Sequence, residues 1–157
     1  MTWFVRVVLV GAVAAVWFLP PVPEQQATDT ASISTYAAQM DLTREGDLST
    51  VETIGVEMPG GKHGIFRIFD TADPRRDNVS HPVTVATVER DSQPEPYTHS
   101  DGTKGTDTIR IGDASVYLEP GAHTYRIVSS TSDVFEPGRP GETLWWWDVV
   151  GSGWQMP

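Results

Sequence analysis

The sequence contains no cysteine. Disulfide scaffolds, thiolate zinc sites, iron–sulfur clusters, thiol catalysis and a lipid-modified cysteine anchor are therefore all excluded. Basic residues are scarce as well: 11 Lys and Arg stand against 21 Asp and Glu, for a formal charge of −10. Affinity for a polyanion comes largely from Lys and Arg displacing counterions, so the charge argues against a nucleic-acid partner, and anionic membrane surfaces are disfavoured too. Beyond residue 28 no apolar run approaches the 18 or more residues of a spanning helix, and everything from about Ile33 onward has to fold in water. No internal repeat is visible. The length of 157 residues fits one domain.

One long apolar run is present. Val7 to Leu19 carries no polar side chain, follows Arg6 and is stopped by Pro20, Pro21 and Pro23. A positive start, an apolar middle and a break are the parts of a secretory signal in their usual order. Extended back through Trp3 and Phe4, the same run is just long enough to span a bilayer with Arg6 at the cytoplasmic face. Residues 1–27 are accordingly read as a hydrophobic helix serving as signal peptide or membrane anchor. Cleavage after Ala27 is the candidate for the first case. Residues 28–32 then form a tether, and either reading places residues 33–157 outside the cytoplasm, secreted or held at the cell membrane.

In that body the apolar residues recur every second position, the period of a half-buried strand. Tyr36, Ala38, Met40 and Leu42 share one parity. After a turn at Glu45-Gly46-Asp47, Leu48, Ile54, Val56 and Met58 share another, which predicts a hairpin. Further strands are expected at 64–69, 82–89, 108–111, 115–118, 123–129 and 144–150, separated by Gly- and Pro-rich turns, with 94–105 as a long loop. Eight or so short strands without an amphipathic helix predict an all-β domain, a two-sheet antiparallel β-sandwich of immunoglobulin-like type.

Catalytic spacings are missing. There is no Gly-x-Ser-x-Gly, and Gly151-Ser152-Gly153 reads as a strand-ending turn. His63, His81, His99 and His123 stand too far apart for an i,i+2 or i,i+4 ligand pair, so no metal and no cofactor is expected. The acidic loop Asp70 to Asn78 lacks the ligand alternation of a calcium loop and carries Arg75 and Arg76. Asn78-Val79-Ser80 matches a glycosylation sequon, a short motif that a plain loop also explains. Two features remain. Arg67 lies inside the apolar strand Ile65-Phe66-Arg67-Ile68-Phe69, where a buried charge requires a partner, and Glu52 on a nearby strand is the candidate. The segment from Leu144 to Trp154 holds four of the six tryptophans; Trp145 and Trp147 share one strand face, and with Asp148 and Trp154 they form either core or an exposed aromatic platform.

Four segments in order resemble the extracytoplasmic N-terminal domain of the YciQ-like family of predicted bacterial membrane proteins. They are Gly46-Asp47-Leu48 through Ile54; His63-Gly64-Ile65-Phe66-Arg67; Ile109 to Asp113 followed by Gly121 to Ile127; and Thr143 to Trp154. The resemblance implies an exported β-sandwich tethered to the membrane, with no established activity. Asp148 stands where the family usually has Asn, and relatives usually continue past the final Trp-x-x-Pro, so a shortened C-terminus is expected. The function expected is a non-catalytic envelope domain that binds or scaffolds an envelope protein. The other expectation is a carbohydrate-binding or glycan-active domain using residues 145–154.

Overall fold

The computed structural model describes residues 31–73, 75–76, 78–100, 105–145 and 147. The hydrophobic helix expected at residues 1–27 lies outside them. Ten strands run in chain order: β1 (Ser32–Leu42), β2 (Leu48–Met58), β3 (Ile65–Asp70), β4 (Thr84–Arg90), β5 (Gln93–Pro94), β6 (Tyr97–Ser100), β7 (Thr106–Ile111), β8 (Gly121–Thr131), β9 (Phe135–Pro137) and β10 (Thr143–Trp145). Every pairing is antiparallel. The sheets have the orders β1-β2-β8-β4-β5, β3-β7-β6 and β10-β9.

Alternation decides which sheet faces turn inward. In β2, Leu48, Thr50, Glu52, Ile54, Val56 and Met58 are buried while Ser49, Thr53 and Glu57 face water. In β8, Tyr125, Ile127, Ser129 and Thr131 point inward against exposed Thr124, Arg126 and Ser130. Ile54, Val56, Met58, Tyr125 and Ile127 share one apolar cluster with Phe69, Ile109 and Ile111 of the three-stranded sheet and with Val85 and Val88 of β4. A fully buried Ile contributes about 1.5–3 kcal/mol, and Ile54, Ile109, Ile111 and Ile127 have no measurable exposure.

The first hairpin closes as its residues dictate. Thr43 N donates to Asp47 O at 2.9 Å, Thr43 Oγ1 accepts from Asp47 N at 3.1 Å, and Gly46 takes φ +91°, a conformation that favours glycine. Two sequence expectations are corrected. Residues 115–118 form no strand: Asp113 Oδ1 accepts from Ser115 N at 2.8 Å and from Ser115 Oγ at 2.7 Å, turning the chain so that Val116 and Tyr117 are exposed. The expected loop at 94–105 instead contains part of β5 and all of β6. The latter pairs with β7 at the sheet edge, and Tyr97 Oη donates to Val85 O at 3.0 Å.

Candidate functional site

The most buried polar constellation joins the two larger sheets. Arg67, inward-facing on β3, donates from Nε to both Glu52 carboxylate oxygens at 3.1 Å and from Nη2 to Oε1 at 2.7 Å. Its Nη1 donates to the Ile68 carbonyl, and its guanidinium lies 4.4 Å from the centroid of the Phe69 ring. Tyr36 Oη donates to Glu52 Oε1, adding a third member that the sequence had not suggested. Burial, followed by the hydrogen bond to Glu52, raises the Tyr36 phenol well above its ordinary value, with Arg67 opposing. The adjoining cavity is only about 10 Å³, bounded by Met40, Phe69, Val83 and Trp147 among others. That is at the lower limit of room for one water, so the constellation is sealed against a substrate.

The acidic loop is organised around a single carboxylate. Asp73, whose side chain has no exposed surface, accepts from the backbone N–H groups of Arg75 and Arg76 at 2.8 and 3.0 Å and from Arg76 Nε at 2.8 Å. His81 Nε2 stands 3.3 Å away. Burial opposes ionisation here, but these donors together outweigh it and hold the carboxyl far below the ordinary range. Its oxygens are occupied by protein donors, which closes the loop locally.

A further ion pair fastens the β4–β5 turn to β8. Asp91 and Ser92 take φ +53° and +66°, the left-handed pair of a tight hairpin turn. Asp91 Oδ1 accepts from Thr124 N at 2.8 Å, and its Oδ2 lies 2.7 Å from His123 Nδ1. The other ring nitrogen is 2.8 Å from Glu119 O, so only the doubly protonated ring donates on both sides. The hydrogen bond to Asp91, then that to Glu119, raises the His123 pKa against the opposing effects of burial and Arg90. A group stabilised in its charged form contributes stability that is full below its unfolded pKa, about 6.5, and disappears as pH rises through the higher folded value. Thermal melts between pH 6 and 8.5 should therefore show stability falling with pH, and His123→Gln should flatten that slope. An unchanged slope in the variant would assign the dependence to other groups.

An open concavity lies elsewhere. A groove of about 480 Å³ runs between the start of β1 (Ile33) and β3 (Ile65, Phe66, Ile68), with Val56 and Ile111 in its floor and Lys62, His63 and Arg110 at its margin. β1 and β3 are both edge strands among the described residues. Gly64 and Gly112 let the backbones meet there: a Cβ on Gly64 would lie 1.8 Å from Ile111 O, and one on Gly112 would lie 2.0 Å from His63 O. Sequence reasoning missed this face. Its signal was Phe66 and Ile68, apolar residues on the outward parity of a strand whose other parity is already buried.

Of the tryptophans, Trp145 ends β10 and is 41% exposed, whereas Trp147 is half-buried against the core and lines the small cavity beside Arg67. The structure thus does not bring Trp145 and Trp147 into one equally exposed platform. Asp148 and Trp154 lie outside the described residues. Among the described residues, no group of three or more His, Asp or Glu is placed to hold a metal ion.

Compared with known proteins, residues 32–157 match a family model described as "Predicted membrane protein (DUF2207) N-terminal domain". No curated protein and no solved structure matches the chain.

Proposed function

Because this chain belongs to the DUF2207 family of predicted membrane proteins, as its N-terminal domain, we propose that it is a non-catalytic, exported envelope domain that binds or scaffolds another envelope component. The observation that carries this reading is a contrast between two places in the fold. The buried polar constellation of Glu52, Arg67 and Tyr36 is sealed, while the open concavity is mainly apolar. Chemistry needs polar groups within reach of a substrate; recognition of an apolar surface needs the reverse. We read the five-stranded and three-stranded sheets, which share one core, as an immunoglobulin-like β-sandwich, and residues 1–27 as the signal peptide or anchor that delivers it.

Intact mass combined with membrane fractionation of the full chain, expressed from its own gene in a bacterial host, tests this. A soluble exported product shortened by about 27 residues means a secreted domain. A full-length product in the membrane fraction means an anchored one. Full-length protein confined to the cytosol would overturn export. The exposure of Trp145 favours one second reading, a glycan-binding domain; a glycan array without hits at high protein concentration would remove it.

A further inference from the structure

Exposed apolar side chains gather on one side of the fold. Phe66 is 59% exposed, Tyr117 68% and Val116 51%. Tyr117 and Val116 adjoin His63: the His63 and Tyr117 ring centroids lie 4.2 Å apart, His63 Nδ1 lies 2.8 Å from Val116 O, and Lys62 O accepts from Leu118 N at 2.8 Å, while Phe66 lines the groove together with Lys62 and His63. Phe66 stands opposite Arg110 in the β3–β7 register, so aromatic and cation share the outward face. Lys62 and Arg110 both border the groove, two of only 11 bases in a chain of charge −10. Asp113, beside His63 and Arg110, is engaged by Ser115.

Aromatic rings flanked by Lys and Arg form the composition that settles at the headgroup level of a bilayer, with apolar bodies down and cations against anionic lipid. The chain's own course supplies a second argument. Ala31 lines the same groove, and only residues 20–30 separate it from the apolar run ending at Leu19. Eleven residues reach at most about 40 Å when fully extended. If residues 7–19 sit in the membrane, this margin of the domain is the one leashed to it.

We propose that the face formed by Phe66, Tyr117 and Val116, with Lys62 and Arg110, docks on the anionic surface of the membrane that carries the chain. This rests on the membrane-anchored form of the function proposed above. Docking would lay the groove and the edge of β3, unpaired among the described residues, against lipid, covering apolar surface that otherwise faces water.

The absence of cysteine makes the test direct. Phe66→Cys, and Thr53→Cys on the exposed outer side of the five-stranded sheet, each accept one environment-sensitive fluorophore in the full chain. The labelled proteins are reconstituted with vesicles of phosphatidylglycerol and phosphatidylcholine or of phosphatidylcholine alone, with brominated acyl chains as quencher. The label at 66 should be blue-shifted and quenched several-fold more than that at 53, more strongly with phosphatidylglycerol, and less so after Lys62→Glu with Arg110→Glu. Protein that sediments with vesicles while both labels stay equally open to aqueous iodide would overturn the docking face and leave the anchor standing. Failure to sediment would overturn both. Protection of residue 66 without vesicles would overturn the lipid as occupant and assign the face to self-association or a peptide strand added to β3.

Discussion

Replacing Arg67 by Met should lower the melting temperature by about 10 °C or more. Met matches the aliphatic stem of the arginine side chain, so the change removes the guanidinium with its charge and hydrogen bonds and leaves the apolar stem packed. Three donor contacts to Glu52 disappear, together with the cation over Phe69. Glu52 then keeps only the Tyr36 hydroxyl for a carboxylate buried in β2, the strand between β1 and β8. Breaking a buried pair by deleting one partner costs about 3–5 kcal/mol, because the remaining charge is left uncompensated. In a domain of this size each kcal/mol is worth roughly 2–8 °C in Tm. Adding Glu52→Gln to the same variant should recover part of the loss, since a neutral amide is cheaper to bury than a carboxylate. Thermal unfolding followed by circular dichroism reads both. A single variant that melts at the parent temperature would mean that the pair contributes nothing net to stability, and the argument from an unpaired buried charge would fail.

Gly64→Ala and Gly112→Ala should each be at least as damaging. Their φ angles are +147° and +115°, and the obstructing atoms are backbone carbonyl oxygens on the facing strand, at 1.8 and 2.0 Å from an added Cβ. Backbone cannot step aside as a side-chain tip can. Relief requires the ends of β3 and β7 to separate, opening the Ile65–Ile111 pair that floors the groove. A loss of at least about 3 kcal/mol is expected, at the upper end of what strained backbone and overpacking produce. Gly61→Ala is the internal control. Its φ is +80°, but nothing lies within 4 Å, so only the conformational penalty of about 1–2 kcal/mol applies. Chemical denaturation of the three variants separates the two contributions, and equal losses would show that the close approach at 64 and 112 adds nothing.

Much of the architecture was legible because burial imposes a parity. β1 and β2 each have one wet and one covered face, and their alternating residues mark the hairpin with its turn at residues 43–47. The long central strand β8 and the apolar β3 are visible for the same reason. What escaped was short or exposed on both sides. β6, Tyr97 to Ser100, is polar and lies at a sheet edge, so no period distinguishes it from loop; β9 has three residues. Residues 115–118 alternate like a strand, yet Val116 and Tyr117 are exposed, Leu118 alone of them joins the core, and Asp113 turns the backbone first. Arg67 called for an acid on chemical grounds, and Glu52 stands against it. Asp73 and Arg76 are three residues apart and their pairing is local, but the arrival of His81 on Asp73, and of His123 on Asp91, depends on segments meeting in space, of which spacing along the chain holds no trace.

The strand order also sets a sequence of events. β8 pairs on one side with β2 and on the other with β4, so the five-stranded sheet has no middle until residues 121–131 are available. Before that point β1 and β2 can form only a two-stranded ribbon, which is marginal in water on its own. β4 has no long partner to join. Contacts so distant in sequence make for slow folding, because the loop between them must close before the pairing rewards it. A chain emerging from its N-terminus can pair β3, β7 and β6 by residue 111, but it completes its largest sheet only in one late step, once β8 has appeared.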